Sequence, residues 1–172
     1  MHDFMLTDRM IREARPKGMP FIPELPASHG LGQEARIWLL KQYGPTTSGI
    51  MQQHMANGVD GDIEDYYRLA MYLSRLDLRS VIVDVGCGAG MQQVFFKDFA
   101  GYVGIDTSKS RTPPVLQSNA SFLSGDFVEL VESGKFTIES HMVGIANASL
   151  LYEDDNEEAL ALFKQFKRLV LV

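Results

Sequence analysis

The chain has 172 residues, 45% hydrophobic and 10% aromatic, which suits one ordinary domain with a real core and disfavours a disordered segment. Its formal net charge of −6, with Lys and Arg scattered, argues against nucleic acid as a partner for the surface as a whole. Cys87 is the only cysteine, the first residues form no apolar signal core, and no apolar run nears the roughly 18 residues that cross a bilayer, so no disulfide, no metal cluster, no membrane partner and a cytoplasmic location are expected.

Residues 1–30 contain Pro16, Pro20, Pro23 and Pro26 and read as an extended arm with one helical turn near 8–14. Over 31–43, Leu31, Ala35, Trp38, Leu39 and Tyr43 fall at helical spacing, and Gly44-Pro45 ends the run. A weaker helix over 47–56 carries Ile50, Met51 and Met55 on one side and stops at Asn57-Gly58. Asp62 reads as the N-cap of a third helix that turns Ile63, Tyr66, Tyr67, Ala70, Leu73 and Leu76 toward a core.

At Ser80 the pattern changes. VIVDV over 81–85 is a β-branched run that enters glycines at once, as a buried parallel strand does before a tight turn. A helix is expected over 91–99, with Met91, Val94, Phe95 and Phe99 packing on a sheet. Further strands are expected over 102–105, closed by Asp106, over 121–123, ending at Gly125-Asp126, over 142–146 and over 169–172. Between them lie a short helix over 127–132 and one capped by Asp154-Asp155, with Ala159, Leu162, Phe163 and Phe166 inward. Strands alternating with helices imply a parallel sheet with right-handed crossovers.

The turn after the first strand is the candidate site. Glycines let the backbone bend sharply and approach a ligand without a Cβ, and the start of the following helix offers unpaired N–H groups. A dinucleotide fingerprint is G-x-G-x-x-G; this chain has Gly86, Gly88 and Gly90 as G-x-G-x-G, with Met91 where a third dinucleotide glycine would stand. Asp84 places a carboxylate beside the turn, which repels a pyrophosphate and suits a cationic ligand; the same carboxylate is also able to hold the turn itself. Cys87 reads as a small turn residue, because no histidine lies near it in sequence to activate a thiolate.

With DVGCGAG, VGID, SGDF and VGIANASLLY in order, the chain resembles the class I S-adenosylmethionine-dependent methyltransferases over 66–172. The resemblance implies an α/β, Rossmann-like parallel sheet of about five strands in the order 3-2-1-4-5, with helices on both faces. An N-terminal arm and helical cap (1–61) would precede an S-adenosylmethionine-binding domain (62–172). Cofactor residues implied are Asp84, the turn residues Gly86, Cys87, Gly88 and Gly90, Asp106 for the ribose hydroxyls, and Asp126 and Phe127 for the adenine. Without a ligand, Asp126 also reads as the N-cap of the following helix and Phe127 as core. Asn147 takes the polar position beside the substrate, and His29, His54 and His141 are general-base candidates.

Asn147-Ala148-Ser149-Leu150 departs from the Asn/Asp-Pro-Pro-aromatic pattern of amino-directed nucleic-acid methyltransferases, so a small-molecule acceptor is expected. The resemblance implies a further helix and a C-terminal antiparallel strand pair that are not read after the fifth strand, so an apolar edge is expected that a homodimer, a partner chain or the N-terminal arm would cover. Two other readings stay open. One is a catalytically inactive binding or partner subunit of the same fold; the other is a nucleotide-binding oxidoreductase, which the glycine spacing disfavours.

Overall fold

The computed structural model describes residues 31–57, 63–107, 117–146 and 156–171. The arm, Asp62, residues 108–116, Asn147 and the Asp154-Asp155 cap lie outside the described residues. The first helix, α1 (Leu31–Asn57), is broken at Gly44, whose φ of 76° and ψ of 171° leave the helical region just before Pro45. The two expected helices are therefore the two arms of one broken element. Ile50 is 44% exposed while Met51 is fully buried, which corrects their expected shared side. Successive helical residues point about 100° apart, so only one of the pair faces the core.

The second helix, α2 (Ile63–Ser74), buries Tyr66, Leu69, Ala70 and Leu73. Leu69 joins the expected set, and Leu76 leaves it by lying beyond the helix end and exposed. Five strands follow: β1 (Val81–Val85), β2 (Gly101–Asp106), β3 (Ala120–Ser124), β4 (Met142–Ala146) and β5 (Arg168–Leu171). They form one sheet in the order β3-β2-β1-β4-β5. Every adjacent pair is parallel. This is the Rossmann-like α/β sheet expected, with β5 at one edge.

In a parallel pair, partners in register share a face. Ile82, Tyr102 and Val143 are in register, and so are Asp84, Gly104, Phe122 and Ile145. This face packs against α1, α2 and the segment after β1, joining Ala35, Leu39, Met51, Tyr66, Leu69 and Leu73 to the sheet in one cluster. Ala35, Leu39 and Met51 of α1 thus share a core with the sheet. The opposite face carries Val83, Val85, Ile105, Ala146 and Leu169 under α3 (Phe127–Glu132) and α4 (Asn156–Phe163). Helices cover both faces, as expected.

The segment after β1 differs from expectation. It is a 3-10 helix over Met91–Phe96, with all six residues buried, including Gln92 and Gln93. A helix with one apolar stripe leaves its polar residues outside; this short segment is enclosed all round, and its two glutamine side chains make specific hydrogen bonds.

Candidate functional site at the carboxyl ends of the strands

Open α/β sheets bind ligands beyond the carboxyl ends of their strands, next to the point where strand order reverses. In this sheet the chain runs from β1 outward to β2 and β3, then returns to the other side of β1 as β4. The glycine turn 86–90 stands at that reversal. Gly86, Gly88 and Gly90 have φ of 77°, 57° and 65°, a left-handed conformation that glycine adopts without steric cost.

The turn is tied to the end of β2. The amides of Gly86 and Cys87 donate to the Ile105 carbonyl at 2.8 and 3.1 Å. The Gly88 N–H donates to Asp106 Oδ2 at 2.8 Å, joining two residues 18 apart in sequence. Asp106 is half-buried, and its own carbonyl accepts from Gly125 N at 3.0 Å, which draws the end of β3 to the same place. The structure therefore brings together Gly86, Cys87, Gly88, Gly90 and Asp106, with Asp126 next in chain after Gly125.

Asp84 lies beneath this turn, fully buried. Its Oδ2 accepts from the Gln92 amide at 2.7 Å and from the Tyr102 hydroxyl at 2.6 Å. Burial pushes the Tyr102 phenol well above its ordinary pKa, and the adjacent Asp84 charge pushes the same way. Both causes keep the phenol protonated and donating. Neither Gln92 nor Tyr102 stood among the sequence candidates. A signal for Tyr102 existed: parallel pairing sets it opposite Ile82, two residues before Asp84 and on the same face. Gln92 had none, because the glutamine pair 92–93 reads as a solvated helix surface.

Asp126 accepts from the Glu129 amide at 3.0 Å and caps α3. The Phe127 ring is 4% exposed and packs with Phe163, Phe136 and Phe166 at centroid distances of 4.8, 6.3 and 6.1 Å. Cys87 is buried, its Sγ 3.7 Å from the Gly88 carbonyl, an arrangement that suits a turn residue. Of the three histidines considered as bases, His141 pairs with Glu139 at 3.4 Å just before β4. That is the amino end of the sheet, a strand length from the turn. His29 and the side chain of His54 lie outside the described residues.

Two absences hold among the described residues. No group of three His, Cys, Asp or Glu side chains is arranged to hold a metal ion. No helix is long and apolar enough to cross a membrane.

No protein-family model and no curated protein matches the sequence. Among solved structures, the chain is similar to the plantazolicin methyltransferase BamL, crystallised with a triazolic desmethylPZN analog and SAH, at 13% identity and a TM-score of 0.48, covering 80% of this chain and 55% of that one. It is similar to the cyclase SpnF at 18% identity and a TM-score of 0.45, covering 84% of this chain and 57% of that one. Coclaurine N-methyltransferase, bound to N-methylheliamine and SAH, aligns at 14% identity and a TM-score of 0.45, over 86% of this chain and 58% of that one. The chain thus spans little more than half the length of these structures. The fold stands on the sheet itself, whose strand order is the one implied by the resemblance to class I methyltransferases.

Proposed function

We propose that this chain binds S-adenosylmethionine over the carboxyl ends of β1, β2 and β3 and transfers its methyl group to a small-molecule acceptor. The observation that carries the proposal is the partly buried Asp106 carboxylate, held 2.8 Å from the Gly88 amide of the turn. A carboxylate has acceptor capacity for several donors, so Asp106 can keep its turn bond and still accept from two ribose hydroxyls. The donor set also fits the rest of the ligand. Gly86, Cys87 and Gly88 offer the turn backbone to the ligand, Gly90 closes the turn with its Cα against the Phe122 ring, and the buried Asp84 charge under the turn favours a cation over a pyrophosphate.

Asp126 and the backbone at Phe127 border the adenine end in this reading, with the Phe127 ring in the core beneath. Asn147 follows β4 and is assigned to the acceptor side, with the helical cap on the Asp84 face of the sheet. When bound, the cofactor supplies a methyl group on a positively charged sulfur, a good leaving group. The protein's work is alignment, worth up to about 7–11 kcal/mol in well-oriented systems. The small-molecule acceptor is favoured by the −6 charge and by the Asn147-Ala148-Ser149-Leu150 sequence.

Calorimetry with S-adenosylmethionine, S-adenosylhomocysteine and NAD tests the binding. The two sulfur ligands are expected to bind and NAD is not. Asp106→Ala is expected to weaken binding about tenfold or more, as loss of hydrogen bonds to a charged group does. Failure of the intact chain to bind either sulfur ligand overturns the proposal. Binding without formation of S-adenosylhomocysteine across a panel of small acceptors transfers the chain to the inactive binding-subunit reading.

A further inference from the structure

We propose that Gln92 is the positioning residue of the ligand-binding turn, acting through one side-chain nitrogen that joins the buried Asp84 carboxylate to the Cys87 carbonyl. The inference rests on the S-adenosylmethionine reading of the site. Gln92 is 5% exposed; its Nε2 donates to Asp84 Oδ2 at 2.7 Å and to the Cys87 carbonyl oxygen at 2.9 Å. An amide nitrogen has two hydrogens, and here each has an acceptor. The flipped amide would set oxygen against two oxygens, so the orientation is fixed by chemistry.

The consequence runs through one peptide plane. The Cys87 carbonyl and the Gly88 N–H belong to the same rigid peptide unit. Gln92 holds its oxygen end, together with the Gly90 amide, which donates to the same carbonyl at 2.8 Å. Asp106 Oδ2 holds its N–H end at 2.8 Å. Rotating this plane would pull the Gly88 hydrogen away from Asp106, the residue assigned to the ribose. Gln92 therefore sets the direction of a bond it does not touch. The Asp84 charge anchors Gln92 in turn, and the Tyr102 hydroxyl secures the same carboxylate oxygen at 2.6 Å.

Gln93 is the matched control, in the same 3-10 helix and fully buried. Its Oε1 accepts from the Gln117 amide at 2.8 Å, before β3, so this bond serves packing away from the turn. Gln92→Met is expected to weaken S-adenosylhomocysteine binding about tenfold or more, with a fall in unfolding midpoint no larger than that of Gln93→Met. Gln93→Met is expected to stay within about threefold of the parent affinity, a shift of ~0.7 kcal/mol. Parent-like binding by Gln92→Met, or an equal affinity loss in both variants, overturns the proposal.

Gln92→Asn is the second variant should Gln92→Met fail to fold. Its shorter side chain reaches one acceptor and not both, and the same loss is expected. Amide exchange at Gly88 in the unliganded protein supplies a readout independent of the ligand. It should quicken in the Gln92 variants and not in Gln93→Met; unchanged exchange counts against the positioning role. If the intact chain binds no sulfur ligand while the exchange pattern appears, the cofactor reading has failed and the positioning of the turn has not.

Discussion

Gly104 shows how tightly individual side chains are set beside the turn. It lies on β2 with an ordinary strand conformation, so the need for glycine is purely steric. An added Cβ would stand 2.7 Å from the Phe122 ring and 2.8 Å from Cys87 Sγ. The same ring closes on Gly90, where a Cβ would come within 2.1 Å of it. Phe122 thus fills the space under the turn from the neighbouring strand. Gly104→Ala is expected to destabilise the fold by about 1–3 kcal/mol, the usual cost of overpacking. Phe122→Leu, which removes the ring edge, should recover part of that loss in the double variant. Denaturant unfolding of the two singles and the double measures the coupling, and strict additivity would place the clash elsewhere.

At the scale of elements, α3 carries a question the geometry divides cleanly. Asp126 caps the helix through the Glu129 amide, and the same carboxylate is assigned to the adenine. Asp126→Ala should cost about 1 kcal/mol of stability through the lost cap. Asp126→Ser retains a capping oxygen and removes the carboxylate. If the adenine role holds, Ser restores the unfolding midpoint and leaves the affinity for S-adenosylhomocysteine weakened. Restoration of both would reduce Asp126 to a cap.

The sequence made some elements plain and hid others for identifiable reasons. β1 was legible because five consecutive residues of a strand enclosed on both faces are β-branched or acidic and then stop at glycine. β3 was weaker because its edge position leaves Ser121 and Ser124 exposed, so apolar alternation is short. Gly88 and Asp106 were both legible as candidates, yet their hydrogen bond depends on sheet order. The 3-10 helix escapes periodicity, which assumes a solvated face, and Gln92 and Gln93 have none. Their polarity is satisfied by the Asp84 carboxylate and the Cys87 carbonyl, eight and five residues back across the turn, and by the Gln117 amide 24 residues on, partners that helical periodicity does not encode.

For the whole molecule, the two ends of the sheet do different work. The carboxyl ends carry the turn, Asp106 and Asp126, while the amino ends are joined by charge. Asp77, between α2 and β1, accepts from Lys167 Nζ at 3.0 Å, a link across 90 residues to the approach of β5. Its other carboxylate oxygen accepts from the Arg79 backbone at 3.0 Å and pairs with the Arg79 guanidinium at 3.2 Å. The Lys167 hydrogen bond contributes most, and with the Arg79 bonds it holds the Asp77 carboxyl well below the usual carboxylate range. A carboxyl whose pKa is depressed on folding contributes stability above its unfolded pKa and loses it as pH falls toward the folded one. The contribution is therefore full above about pH 5 and fades below ~3.9, the ordinary value for Asp. Asp77→Asn should lower the unfolding midpoint modestly near neutral pH, since exposed pairs are screened by water and salt. The gap between parent and variant should narrow as the pH is taken down through the acid range, and also as salt is raised. Thermal unfolding followed by circular dichroism across that range measures it, and a gap that widens toward low pH would reverse the assigned sign. Because the pair lies a strand length from the glycine turn, cofactor affinity at neutral pH should stay unchanged in the folded variant.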